Sequence, residues 1–279
     1  MSLSCPGMKL ARPDTFHPRI VLTGESQDAA GDDAGLVGAL RIRGLHARWL
    51  PWDHPDTSAA DLVILRAARD YVRRLDEFLA WTRAVPNLLN PPAVVAWNSN
   101  RRYLGRLTER DVPVVPGVRY AHGEAVRLAQ GDHYFVGPAV GTGTRRFSDP
   151  SAVQAYVDQC DTDVWVQSAP AAPETVLVFL GGKPSHAFVT VGDALHQGEA
   201  DFELWDAGAA ALATAPGELL YARVHLVGNR VLGLGLIDPS LGWLRLDVET
   251  RGLAQRQFAL AVESALERLG LGPFSHRRP

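Results

Sequence analysis

Apolar and polar positions along this chain switch between two periods, and the switches mark out its elements. Residues 19–24, Arg-Ile-Val-Leu-Thr-Gly, read as a short buried strand ending in a turn. Asp32 and Asp33 precede Leu36 and Leu40 at helical spacing, with Gly44 as a C-terminal stop. Residues 45–50 and 61–66 read as further strands, and 71–85 as an amphipathic helix. This β-α-β-β-α order predicts a three-layer α/β domain with a mostly parallel sheet. Ligands gather at the carboxyl ends of such strands, so Arg66 is a candidate ligand contact or, equally, a surface salt bridge.

The paired prolines of Leu88-Leu89-Asn90-Pro91-Pro92 interrupt both helix and sheet and predict a linker. A helix over 97–110 and an extended connection over 112–116 follow. From Tyr134 the texture becomes short strands, expected at 134–137, 163–167, 175–181, 184–190, 218–227 and 230–237. Helices over 151–160, 205–214 and 252–269 complete the pattern. The division that results is a disordered 1–18, an N-terminal α/β domain over 19–90, a second region over 91–270, and a tail over 271–279.

Composition changes this picture little. With 279 residues, 46% hydrophobic and 21% charged, a sizeable core is within reach. A net charge of −3 gives no electrostatic reason to expect nucleic acid. Cys5 and Cys160 are too few for a disulfide framework, which makes a reduced cytoplasmic setting the default. No stretch nears the roughly 18 apolar residues of a membrane span, and the N-terminus lacks a signal-peptide core; Met1 or Met8 would each serve as a start. Ser185 and His186 are neighbours expected on opposite faces of a strand, and no G-x-S-x-G elbow or H-E-x-x-H zinc spacing is present.

Several segments carry a family resemblance. They include Val63-Ile64-Leu65-Arg66 with Asp70-Tyr71, Leu88-Leu89-Asn90-Pro91-Pro92, Trp97-Asn98, and Val112-Pro113-Val114-Val115-Pro116. Further on stand Pro138-Ala139-Val140, Val164-Trp165-Val166-Gln167, Tyr221-Ala222-Arg223-Val224 and Ile237-Asp238-Pro239. In this order, over about 19–265, the chain resembles the ATP-grasp superfamily, near prokaryotic carboxylate–amine ligases of the glutathione synthetase and cycloserine-pathway cyclo-ligase type. The resemblance implies a pre-ATP-grasp domain at 19–90 followed by two α+β subdomains. It also implies chemistry in which ATP phosphorylates a carboxylate and an amine attacks the acyl phosphate.

That chemistry needs cations on the phosphates and Mg²⁺ held by carboxylates. By the resemblance, Arg101 stands where the family carries one phosphate-contacting lysine and Gly137 where it carries another. Lys9 and Lys183, the two lysines of the chain, replace neither. Arg145 and Arg146, with Gln167 and Glu174, remain as a residual nucleotide side. Gly141-Thr142-Gly143-Thr144 is either an anion cradle or a turn. The metal positions read His225, Gly233 and Gly235, with Asp238 alone persisting. The substrate-side candidates are Arg66, Tyr71, Asn98 and Arg223, while Asn90, Trp97 and Tyr103 read as structural.

The expectation is therefore an ATP-grasp-like protein that has lost ligase activity and needs no cofactor. It would act as a binding or partner subunit, for a small anionic ligand or a partner protein, or as a homodimer. The alternative is a working ATP- and Mg²⁺-dependent ligase with a site rearranged around Arg101, Arg145, Arg146, Glu174, His225 and Asp238.

Overall fold

The computed structural model describes residues 16–24, 31–68, 70–192 and 194–272. The expectations placed on Met1, Met8, Cys5 and Lys9 lie outside them. The N-terminal part runs β1 (Ile20–Thr23), α1 (Leu36–Ile42), β2 (Ala47–Leu50), a single helical turn α2 (Pro55–Ser58), β3 (Leu62–Ile64), α3 (Leu75–Ala84) and β4 (Leu88–Leu89). All four strands pair in parallel in the order β2-β1-β3-β4. Ile20–Thr23 and Leu62–Ile64 are buried throughout, which is why they read as unbroken apolar runs.

The expected linker at 88–92 is a correction. Leu88 and Leu89 pair with Val63 and Ile64, so half of it is the fourth strand. Pro92 then opens α4 (Pro92–Asn98), where a proline's missing N–H and fixed φ cost nothing. The single helix expected over 97–110 is likewise two, α4 and α5 (Tyr103–Thr108). Between them the chain turns aside to bridge Asn100 to Val140, with Arg101 N–H donating to the Ala139 carbonyl and Gly141 N–H to that of Ser99.

Next come β5 (Gly117–Tyr120), β6 (His133–Pro138), β7 (Arg145–Phe147), α6 (Pro150–Val157) and β8 (Val164–Ala169), forming an antiparallel sheet β5-β8-β6-β7. The remainder is β9 (Glu174–Leu180), β10 (Lys183–Val191), β11 (Ala194–Gly198), α7 (Phe202–Leu212), β12 (Tyr221–Val227), β13 (Arg230–Gly235) and the long α8 (Val248–Arg268). Its sheet, β11-β10-β9-β12-β13, is antiparallel. Strands β5, β7 and β11 are absent from the sequence reading because they are short and carry exposed or polar residues.

One apolar cluster joins β1 and β3 to β9 through Phe258 and Val262 of α8. Phe16, from the segment expected to be disordered, packs against it, and Leu271 at the start of the expected tail is buried in it. The parallel and five-stranded sheets therefore share a core. At the crossing point Asn90 Nδ2 donates to the carbonyls of Tyr221 (2.9 Å) and Leu236 (2.7 Å), and its Oδ1 accepts from Leu220 N–H (2.8 Å). Asn90 holds a positive φ of 59°, as its turn-like sequence setting suggested.

Strand β13 lies at the edge of its sheet, and side chains cover that edge. Gln167 Nε2 donates to the Leu232 carbonyl (3.1 Å). Tyr103 Oη accepts from Leu234 N–H (2.8 Å), and Asn98 donates to the Leu234 carbonyl (3.1 Å) and accepts from Leu236 N–H (2.9 Å). Those bonds fix the strand that floors the cleft described next.

Candidate functional site

A cleft of about 760 Å³ opens between the five-stranded sheet and the Gly141–Thr144 loop that follows β6. Its floor is the β12–β13 pair. Alternation along β12 buries Val224 and Leu226 in the core and turns Arg223 and His225 toward the cleft. In register opposite them stand Gly235 and Gly233, which add no side chain of their own. Asp238 closes one end of the floor.

Three polar side chains form a hydrogen-bonded chain at one side of the floor. Arg146 Nη1 donates to Glu174 Oε1 (2.8 Å), and Glu174 Oε2 lies 3.1 Å from His225 Nε2. Burial raises the Glu174 carboxyl, but the bonds and charges of His225 and Arg146 outweigh it and hold the group below the usual range. Arg145, its neighbour on β7, faces away and stacks its guanidinium 5.0 Å from the Tyr156 ring.

Arg223 differs from the other arginines of the cleft. Among the described residues its side chain makes one hydrogen bond, a long one from Nη1 to the Ser240 carbonyl at 3.4 Å, and forms no ion pair with a carboxylate. Burial lowers its pKa, against the pull of the Asp32 carboxylate, a sign that the charge has lost more in water than it has regained from its neighbours. Asp238 is perturbed in the opposite sense. Burial raises it to about 7 despite the Arg66 charge and the backbone N–H of Ala68, which pull it down.

Arg101 forms the roof with the Gly141–Thr144 loop. Its Nε donates to the Pro138 carbonyl (2.9 Å), and its Nη2 to the Gly143 carbonyl and to Thr144 Oγ1 (both 2.7 Å). Burial lowers its pKa. Gly141 and Gly143 take φ of 99° and 97°, values that favour glycine and shape the loop.

The structure thus brings together Arg101, Arg146, Glu174, Asn98, Arg223, His225, Gly233, Gly235 and Asp238 around one cleft. Five other candidates do not line it. Arg66 is 3% exposed and is neither a surface salt bridge nor a cleft residue: its Nε and Nη2 grip Asp33 Oδ1 at 3.0 and 2.8 Å. Nη2 also donates to the Pro239 carbonyl (3.0 Å), which ties the first sheet to the segment carrying Asp238. Tyr71 packs on Phe78, Gln167 braces β13, Arg145 faces away and Gly137 sits beneath Arg101. The sequence marks Thr144 only as part of an anion cradle or turn and Asp33 only as preceding α1; their contacts with Arg101 and Arg66 span 33 or more positions and leave no local pattern.

Ser185 and His186 correct a further expectation. A register shift between Pro184 and His186 brings Ser185 Oγ to 3.0 Å from His186 Nδ1 instead of placing the two on opposite faces. The imidazole is buried and its Nε2 is spent on the Leu241 carbonyl (2.7 Å), outside the cleft. Among the described residues no three His, Cys, Asp or Glu side chains converge as a metal cluster, and no helix is long and apolar enough to cross a membrane.

Comparison with known proteins agrees with this architecture. Residues 19–90 match the family model described as D-cycloserine synthetase DcsG, N-terminal domain. The cycloserine biosynthesis protein DcsG of Streptomyces lavendulae is 27% identical over 256 residues, covering 74% of this chain and 86% of that protein. The crystal structure of D-cycloserine synthetase DcsG superposes with a TM-score of 0.71 at 24% identity, covering 88% of this chain and 99% of the other. D-alanine–D-alanine ligase from Bacillus anthracis, complexed with ATP, superposes at 0.66 with 12% identity, over 91% and 98%.

Proposed function

This chain has the ATP-grasp fold, and from that premise we propose that it binds a small anionic ligand, phosphate-bearing above all, without running a magnesium-dependent ligase cycle. The observation that carries the reading is Arg223, a part-buried guanidinium at the floor of the cleft that forms no ion pair among the described residues and is offset only in part by the Asp32 charge. Such a charge gains most from an anionic ligand that replaces its lost water. Arg101 and Arg146 line the same cleft, and the backbone of the Gly141–Thr144 loop edges it.

The residues present fit magnesium poorly. Magnesium prefers an octahedron of hard oxygens that includes one or more carboxylates. Both oxygens of Glu174 are engaged by Arg146 and His225. Asp238, raised to about 7, is half protonated at neutral pH. His225, Gly233 and Gly235 supply no side-chain oxygen, and a side chain at 235 would meet Pro239 Cβ at 2.9 Å. The activities named for the relatives, cycloserine synthesis and D-alanine–D-alanine ligation, are therefore not carried over to this chain.

Isothermal titration with ATP and with inorganic triphosphate, each with and without Mg²⁺, tests the reading. Binding that is independent of magnesium is the expected result. Magnesium-dependent binding of ATP with ligase turnover would establish the rearranged ligase instead, and no anion binding at all would also overturn the proposal.

A further inference from the structure

Gly137 lies in β6, directly under the Arg101 guanidinium. A Cβ built on it would overlap Arg101 Nη2 and the Gly143 carbonyl oxygen and stand 3.0 Å from Arg101 Cζ. The arginine therefore fills the volume that any side chain at 137 would need. From that volume it reaches both flanks of the turn: the Pro138 carbonyl at the end of β6, and the Gly143 carbonyl and Thr144 hydroxyl across the loop. Two backbone bonds reinforce the grip from the α4–α5 connection, Arg101 N–H to the Ala139 carbonyl (2.9 Å) and Gly141 N–H to the Ser99 carbonyl (2.8 Å). Arg101 Nη1 makes no hydrogen bond among the described residues, and Arg101 lines the cleft.

We propose that Arg101 and Gly137 are one unit, a latch in which the absence of a side chain at 137 lets Arg101 hold the Gly141–Thr144 loop in a fixed, anion-receptive shape. Arg101 is thus a positioning residue for the loop. Its planar fork can hold carbonyls on two sides at once, which a single ammonium cannot do with the same geometry. Fixing the loop before the ligand arrives removes the ordering cost that a mobile glycine loop would levy on binding. The ligand class is the one proposed above, a phosphate or short polyphosphate, and that part of the inference rests on the anion-binding reading.

The test is a double-mutant cycle on the full chain with Arg101→Ala, Gly137→Ala and the pair. Two quantities are read: hydrogen exchange of the amides of residues 139–144, and affinity for inorganic triphosphate. Each single change is expected to accelerate exchange in that loop and to weaken triphosphate binding by roughly 10- to 100-fold, the size of one or two charge-assisted hydrogen bonds. In the Arg101→Ala background Gly137→Ala should add little, because the loop is no longer held against position 137. If Gly137→Ala does not fold, recovery of a folded chain in the double variant reports the same coupling.

Independent, additive effects would overturn the latch, as would loop exchange that is unchanged by Arg101→Ala. Should the unmodified chain bind no triphosphate, the anion-binding reading fails, while the exchange measurement still decides whether the latch exists.

Discussion

Asp238 is the place where pH should act on both stability and binding. Its carboxyl is raised to about 7, first by burial, with the Arg66 charge pulling against it. An unfolded aspartate titrates near 3.9, so the folded chain keeps a proton that the unfolded chain has released between these values. The Asp238 contribution to stability is therefore greatest below about pH 4, falls as pH rises through that window, and reaches its low plateau above about pH 7. A shift of about three units corresponds to ~4 kcal/mol at about 1.4 kcal/mol per unit; water in the cleft makes this a ceiling.

Asp238→Asn removes the titration while keeping the shape. Urea denaturation of both chains between pH 4 and pH 8 should show the variant gaining on the parent by up to ~4 kcal/mol across the window, with other titrating groups cancelling in the difference. Ionisation also places a negative charge beside the anion site. Triphosphate affinity should thus fall above pH 7 in the parent more than in the variant. A stability difference that stays constant from pH 4 to pH 8 would refute the reasoning, since it would mean that Asp238 ionises alike in both states.

Two further outcomes follow from other contacts. Asn90→Ala leaves Leu220 N–H and two carbonyls without their buried partner and should cost about 2–4 kcal/mol of unfolding free energy by urea titration. Asn90→Gly should recover about 1 kcal/mol of that loss, because glycine accepts the positive φ; equal losses for the two would show that backbone strain plays no part. Arg223→Met should weaken triphosphate binding by roughly 10- to 100-fold while leaving the melting temperature unchanged or higher, because it removes a desolvated, unpaired charge. A lower melting temperature with unaltered affinity would reassign Arg223 to structure.

Most of the strand and helix order of the first 90 residues, though not α2 or β4, is legible in the sequence, because strands buried on both faces show as apolar runs and α1 shows its leucine spacing. The boundary drawn near residue 90 is not a gap but a buried junction. Local signals for it pointed to a turn, and Asn90 does turn the chain, but its three hydrogen bonds reach partners 130 to 146 positions away. The same holds for Asn98 and Gln167. Their side chains satisfy the open edge of β13, a task set by backbone groups that no local pattern reveals.

By itself, the sequence determined the chemical inventory of the cleft: arginines at 101, 146 and 223, His225 and two glycines on the floor, and Glu174 and Asp238 as the acids. Residue identity is enough for that, because charge and ligand type are properties of the side chain. Only the tertiary structure decided which of these groups are free and which are spent. It took Arg66 out of the site by pairing it with Asp33, gave both oxygens of Glu174 to Arg146 and His225, and left Arg223 with one long hydrogen bond to the Ser240 carbonyl and no ion pair among the described residues. It also showed that Gly137, which in the sequence is simply a lost cation, is the space in which Arg101 sits. The physical reason is that pairing and burial depend on distances between residues remote in sequence, and these distances exist only once the three sheets have packed.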